Sequence, residues 1–421
     1  MSIAYRPFNN NKTVIRAGFG IYTMSTLGPT SFNSGIIALS DLVTYNNYFT
    51  NGVPQFQFPR TCPIGAGAVL GGGNFEEGNN PNWKDPSSAQ WNLTFEREVT
   101  PNTTVRLSYT GQESYHLPIT VDLNQIPAST TPYTIPNNGY SVVDPRAPYQ
   151  NWNILMNSES IGTQSYQAGT VEFTHRASRG LTFQANYTFA KNISDAQSSD
   201  APSAYGGEEP YAVIIGDRYN IKYDRGNVVG MPRQHFLLTA TYQLPFGIGR
   251  PFSGPHFLNP IIGGWILSTV ATIQTGQWLT PTMPAADDQS NTNMIVRSTG
   301  GAIARPDCIG DPNANQTTQN FFNPNAFALP PANAGRFGSC GIGILQGPRM
   351  IDVDAGLAKR FNISERLHVR FEATFTNVLN HTNFAPPAMN ITSPSFGVLQ
   401  SALPQGSGGN RTGQLALRVD F

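Results

Sequence analysis

Two segments near the C-terminus restrict the fold of this chain more than anything else in it. In residues 366–377, Leu367, Val369, Phe371, Ala373 and Phe375 alternate with Arg366, His368, Arg370, Glu372, Thr374 and Thr376, so one face is apolar and the other polar or charged. In residues 412–421, Leu415, Leu417, Val419 and Phe421 alternate with Gln414, Ala416, Arg418 and Asp420, and the chain stops on the aromatic residue. A repeat of two is a strand period, not a helix period. Each segment is about ten residues long, which at about 3.3 Å per residue and a tilt near ~45° spans about 25 Å, the height of a lipid-facing apolar band. Edge strands of a soluble sandwich alternate in the same way. This pair alone leaves both readings open.

The spacing of the turns separates them. Alternating segments recur around 13–22, 91–99, 105–109, 169–176, 181–189, 236–244, 265–273 and 351–361, with a stub at 3–6. Together with the terminal pair these make ten full strands and the stub. Turns at Pro7, Pro101, Ser178, Gly247 and Ser364 are short, and every connection between them is long, at about 23–88, 111–165, 190–232, 276–350 and 379–411. A sandwich has no reason to collect all its long connections at one end. A membrane barrel does, with short periplasmic turns and long extracellular loops. The reading is an all-β, antiparallel transmembrane β-barrel.

Composition removes other classes. Lys plus Arg and Asp plus Glu balance at 26 each, and charged residues are only 12% of the 421, so no electrostatic footprint for nucleic acid exists. No run approaches the ~18 uninterrupted apolar residues of a membrane helix; the nearest, 261–273, contains Gly, Ser and Thr. The histidines, His116, His175, His235, His256, His368 and His381, show no metal-ligand spacing. Asp287-Asp288, Asp307 with Asp311, and Glu208-Glu209 lack the pattern of a calcium loop and read as solvated loop charge. No Gly-x-Ser-x-Gly turn and no phosphate loop is present, so no catalytic residue, cofactor or metal ligand is expected.

Several blocks carry a resemblance. Gln90-Trp91-Asn92-Leu93 with Tyr109-Thr110-Gly111, Ser165-Tyr166 with Gly180-Leu181-Thr182-Phe183 and Asn186-Tyr187-Thr188-Phe189, Tyr223-Asp224-Arg225-Gly226 with Gln234-His235-Phe236, Leu244-Pro245-Phe246-Gly247, and Asn377-Val378-Leu379-Asn380-His381-Thr382-Asn383-Phe384 follow one another along nearly the whole chain. In that order they resemble the barrel of Oar-like TonB-dependent receptors. The resemblance implies a 22-stranded outer-membrane barrel with an N-terminal plug, energised through the TonB system and often preceded by a carboxypeptidase-regulatory-like domain. Residues 1–421 would be the C-terminal portion of that barrel. The plug, a TonB box and the regulatory-like domain are not in this sequence, so the TonB system would be engaged only through the missing plug. Residues 1–12 carry no export signal. The expectation is a partial reading frame that forms no working transporter alone.

Four sets of residues become candidates in this frame. Tyr22, Tyr109, Tyr187, Phe189, Tyr242, Trp265, Phe361 and Phe421 fall at or near strand ends and suit an aromatic girdle against outer-membrane lipid, with ordinary core aromatics as the alternative. Arg106, Glu172, Gln184, Gln274, Arg360, Arg370, Glu372 and Arg418 would line a polar lumen. By resemblance, Phe421 is a terminal signal to the barrel-assembly machinery, although Gly413 is off the spacing of the fuller pattern. Cys308 and Cys340 lie in one connection near Gly and Pro, in a compartment that permits oxidation, and are expected to be bridged; two unpaired loop thiols are the alternative.

The leading functional reading is therefore uptake of a bulky extracellular ligand by an outer-membrane receptor. A secreted or surface β-rich adhesion or carbohydrate-binding protein, and a self-contained small outer-membrane pore, are the alternatives.

Overall fold

The computed structural model describes residues 1–8, 12–25, 49–50, 53–54, 76–134, 144–149, 154–196, 214–255, 257–297, 302–404 and 407–421. Eleven strands form one continuous antiparallel ladder in chain order: β1 (Ser2–Tyr5), β2 (Thr13–Thr23), β3 (Ser87–Thr100), β4 (Thr103–Asp122), β5 (Leu155–Ser178), β6 (Leu181–Ser194), β7 (Gln234–Gln243), β8 (Trp265–Gln274), β9 (Met350–Asn362), β10 (His368–Thr376) and β11 (Thr412–Asp420). These are the ten strands and the stub that the alternation outlines. Each strand pairs with its sequence neighbour, and β1 and β11 are the two ends of the ladder.

Register explains why one face is apolar. Tyr242, Leu267, Leu357, Ala373 and Leu415 share one row across β7 to β11. Ile15, Phe95, Leu107, Val171 and Tyr187 share another across β2 to β6. Of these side chains Leu107, Tyr187, Leu267 and Leu415 are exposed, Leu415 at 70%, and Leu417 in a neighbouring row is 69% exposed. Apolar surface of this extent is untenable in water and marks an interface. The opposite face is polar. An open groove of about 560 Å³ crosses six strands there, lined by polar residues such as Thr174, Gln184, Thr239, Ser268 and Thr374 together with Val270.

Two boundaries depart from the sequence reading. Strand β4 runs 20 residues and β5 runs 24, well into what reads as a loop at 111–165. Counted from the short turn, the ~9–11 residues of a membrane strand end at about Gly111 on β4 and Gly169 on β5, and the remainder carries the wall beyond the apolar band. Bulges between Tyr115 and Leu117 and between Leu117 and Pro118, with His116 at φ 59°, break the alternation that would have betrayed the extension. The connection between β7 and β8, read as a short turn, contains a helical turn, α1 (Asn259–Ile262).

The hydrophobic core is not in the wall. Among the described residues, the buried apolar side chains of the wall below the strand extensions are alanines, Ala168, Ala271 and Ala373. The others lie in the long connections and the strand ends that meet them. Ile154, Met156, Ile214, Met283 and Met294 form one cluster, and Leu279, Phe322, Phe327, Leu345 and Phe396 another. Four connections thereby condense into a cap at one end of the ladder.

Candidate functional site

The polar face is built from strand alternation, and its charges meet by register. Arg106 on β4 stands opposite Glu96 on β3 and Glu172 on β5. Its guanidinium lies 3.2 Å from Glu96 and 3.4 Å from Glu172, and Glu96 also accepts a bond of 2.9 Å from Arg16 on β2. Four charges of alternating sign thus cross four adjacent strands. Of these, Arg106 and Glu172 were singled out from sequence; Arg16 and Glu96 required the register. At the short-turn end Arg360, Arg370 and Arg418 occupy one row across β9, β10 and β11. Arg370 pairs with Glu372 on its own strand, and Arg418 with Asp420 at 2.8 Å. Gln184 pairs in register with Thr174 and Thr239, and Gln274 with His235 and Met350, all on the same polar face.

The aromatics divide by face and level. Trp265, Phe361 and Phe371 cluster near the short-turn end of the apolar face, with Tyr242 and Phe421 at the same end. Tyr109, Tyr187 and Phe189 stand on that face nearer the cap, with Trp91, whose indole occupies the space over Gly111 that a Cβ would need. Tyr187 donates to Gln234 at 3.0 Å, and Tyr109 to Gln167. Just above lie Glu113 and Ser165, bonded at 2.5 Å, so polarity returns where the aromatics end. Tyr22 corrects the girdle. It is opposite Ser88 on the polar face, its ring against Gly20, because it belongs to the even-numbered row of β2.

The cap is held by polar groups that its sequence disguises. Asp224, from the Tyr-Asp-Arg-Gly block, accepts from Arg305 at 2.7 Å and from the Gly216 amide, while the Arg305 guanidinium lies 3.7 Å from the centre of the Tyr223 ring. Gly226 in the same block has Ile342 O where a Cβ would be, at 2.1 Å. Arg297, fully buried, donates to Gly216 O at 2.9 Å, and burial lowers its pKa against the opposing pull of Asp122. Asp122 accepts from Asn124, Leu155 and Asn293. The Asn-Val-Leu-Asn-His block is an anchor as well. Asn377 bonds His381 and Gly409, and Asn383 bonds Ile351 and Gly408, fastening 377–411 over β9 to β11.

Loop charge is thus not simply solvated. Asp307 is buried, and Arg336 grips both its oxygens at 2.6 and 2.7 Å, holding its carboxyl below the ordinary value. Asp144 is likewise gripped by Arg146 and pulled down to about 2. Burial raises Asp288, although Ser290 donates to it. Asp311 is exposed, and Glu208-Glu209 and His256 lie outside the described residues. Cys308 and Cys340 are joined in a disulfide with Cα atoms 5.0 Å apart, within the cap. Among the described residues no group of three or more His, Cys, Asp or Glu is placed to hold a metal. His175 instead bonds Thr103 at 2.9 Å and stacks on Phe183.

The profile of the outer membrane beta barrel domain family matches residues 1–414. No curated protein matches the sequence. Among solved structures, the chain is similar over its whole length to the outer membrane transporter YddB from Escherichia coli, at 10% identity and TM-score 0.48, covering 40% of that chain. It is also similar to the ferric-catecholate import receptor Fiu from K12 E. coli (7% identity, TM-score 0.42, 99% of this chain and 34% of that one). The siderophore receptor PiuA from Acinetobacter baumannii is a third (10% identity, TM-score 0.42, 100% and 35%). This chain therefore spans less than half the length of these proteins.

Proposed function

The chain belongs to the outer membrane beta barrel domain family, and on that premise we propose that it supplies wall and cap to a TonB-dependent receptor that takes up a bulky extracellular ligand. Residues 1–421 are, in this reading, the C-terminal portion of a larger barrel whose plug couples to TonB. The observation that carries it is the asymmetry of the two ends. One end has mostly short turns, whereas at the other four of the long connections fold into a cap with its own core above a concave polar wall. A folded cap presents a shaped surface to a large ligand, and the hydroxyl-lined wall beneath offers a wet passage.

Capture happens at the cap, and the plug, moved from the inner membrane, opens the passage. Lipid contacts the apolar rows, and the assembly machinery reads Phe421. The test is to delete the gene and compare which solutes too large for porins the parent and the deletion strain remove from the medium, with and without a protonophore. The expected result is a solute removed by the parent alone and only while the inner membrane is energised. Removal that persists with protonophore would mean a passive pore, and identical media from both strains would end the uptake reading.

A further inference from the structure

The connection between β7 and β8 is the longest at the short-turn end and carries an apolar surface that the wall does not require. Ile248 is 72% exposed, Phe252 61%, Phe257 73% and Ile261 60%. Phe246 and Phe252 pair across a bridge with ring centres 5.8 Å apart, so the segment is built and not loose. Between Leu244 and Gly264 the charged side chain is Arg250, bonded to Gln243 at 2.8 Å.

What holds this segment shows which way it faces. Lys359 lies on the apolar face, in one row with Trp265, Phe371 and Leu417. Its ammonium donates to Pro260 O and Ile261 O, each at 2.6 Å, and sits 4.7 Å from the centre of the Phe361 ring and 5.2 Å from that of Trp265. The Trp265 indole N–H also donates to Ile261 O at 3.0 Å. Helix α1 is therefore clamped to the lipid side of the wall, and its apolar side chains continue the lipid-facing band below the aromatic cluster. A cation that would be costly against acyl chains is spent on backbone carbonyls under aromatic rings.

We propose that residues 244–264 form a membrane wedge, seated at the headgroup–acyl boundary of the phospholipid leaflet on the short-turn side. The occupant of the exposed surface is phospholipid, because the patch is continuous with the lipid-facing rows, is nearly uncharged, and combines Phe and Ile as interfacial segments do. The proposal rests on the outer-membrane wall and is independent of what is transported.

The test is photo-crosslinking in the outer membrane of living cells with benzoylphenylalanine at position 257 or 261, and at Leu415 as a wall control. Position 248 replaces either one that fails to reach the membrane. Phospholipid adducts at 257 and 261 in yields similar to that at 415 are expected, identified by the added lipid mass. A periplasmic-protein adduct at 257 or 261, or no adduct there while 415 still captures lipid, would overturn the wedge and leave the wall intact. Loss of the lipid adduct at 415 as well would remove the wall reading and the wedge with it.

Discussion

Asp224 ties two connections of the cap together, since its carboxylate accepts from Arg305 and from the Gly216 amide, and Arg305 also donates to the Tyr223 carbonyl. Removing one partner leaves a buried charge uncompensated, at a cost of about 3–5 kcal/mol. Arg305→Met or Asp224→Asn should therefore open the cap to protease while leaving the wall folded, and the double variant should cost less than the two singles added. A fragment pattern unchanged from the parent would show that the pair does not hold the cap. Asp144 is the second test at this scale. With its pKa at about 2, below the ordinary 3.8, its stabilisation is fully present above about 4 and is lost as pH falls through about 2. Amide exchange in 144–149 should rise over that window in the parent but not in Asp144→Asn, which should already exchange faster at neutral pH. These residues were not legible in the sequence, because loop charge has no period. Arg297, Arg305 and Asp307 look like any solvated charge until the fold buries them. Arg106 and Glu172 were legible, since strand alternation alone assigns a face.

Among the elements, the disulfide and the terminal strand make separate predictions. Closing the loop between Cys308 and Cys340, 32 residues apart, stabilises the cap by about 3.5–4 kcal/mol in the chain-entropy model. Cys340→Ser or reduction should make residues 302–349 susceptible to protease, with the heat-modifiable mobility of the wall unchanged. Equal digestion with and without reductant would contradict this. Phe421 is 99% exposed and so contributes nothing to packing. Its deletion should leave folded molecules as stable as the parent but lower the amount that reaches the outer membrane, and undiminished levels would remove its assembly role. The strands within the bilayer were legible because lipid on one side and polarity on the other impose a strict repeat of two. The upper parts of β4 and β5 escaped because outside lipid that demand lapses, and Pro118 and the bulge beside it are tolerated there, whereas Leu107 and Val171, within the lipid band, must alternate. Likewise the resemblance blocks marked their positions but not their work: Asp224 and Asn377 prove to be anchors of the cap.

At the scale of the whole molecule, the ladder raises a question of parity. All ten links from β1 to β11 are antiparallel, so the first and the eleventh strand run in the same direction. Pairing them directly would make a parallel seam, whereas bacterial barrels of one chain have even numbers of antiparallel strands. An all-antiparallel closure needs an odd number of further strands between β1 and β11, and eleven would give the 22 of the proposed receptor. Leaving the two edges bare in lipid is no solution, because each unpaired backbone group there costs several kcal/mol. Cysteine pairs decide the matter in the native outer membrane. Ile3→Cys with Ala17→Cys, opposite each other in β1 and β2, should crosslink readily and calibrate the reaction. Ile3→Cys combined in turn with Leu415→Cys, Leu417→Cys and Val419→Cys, which sample the facing edge of β11, should not crosslink. A bond between β1 and any of these would establish a closed eleven-stranded pore, and the small-pore alternative would then replace the larger receptor.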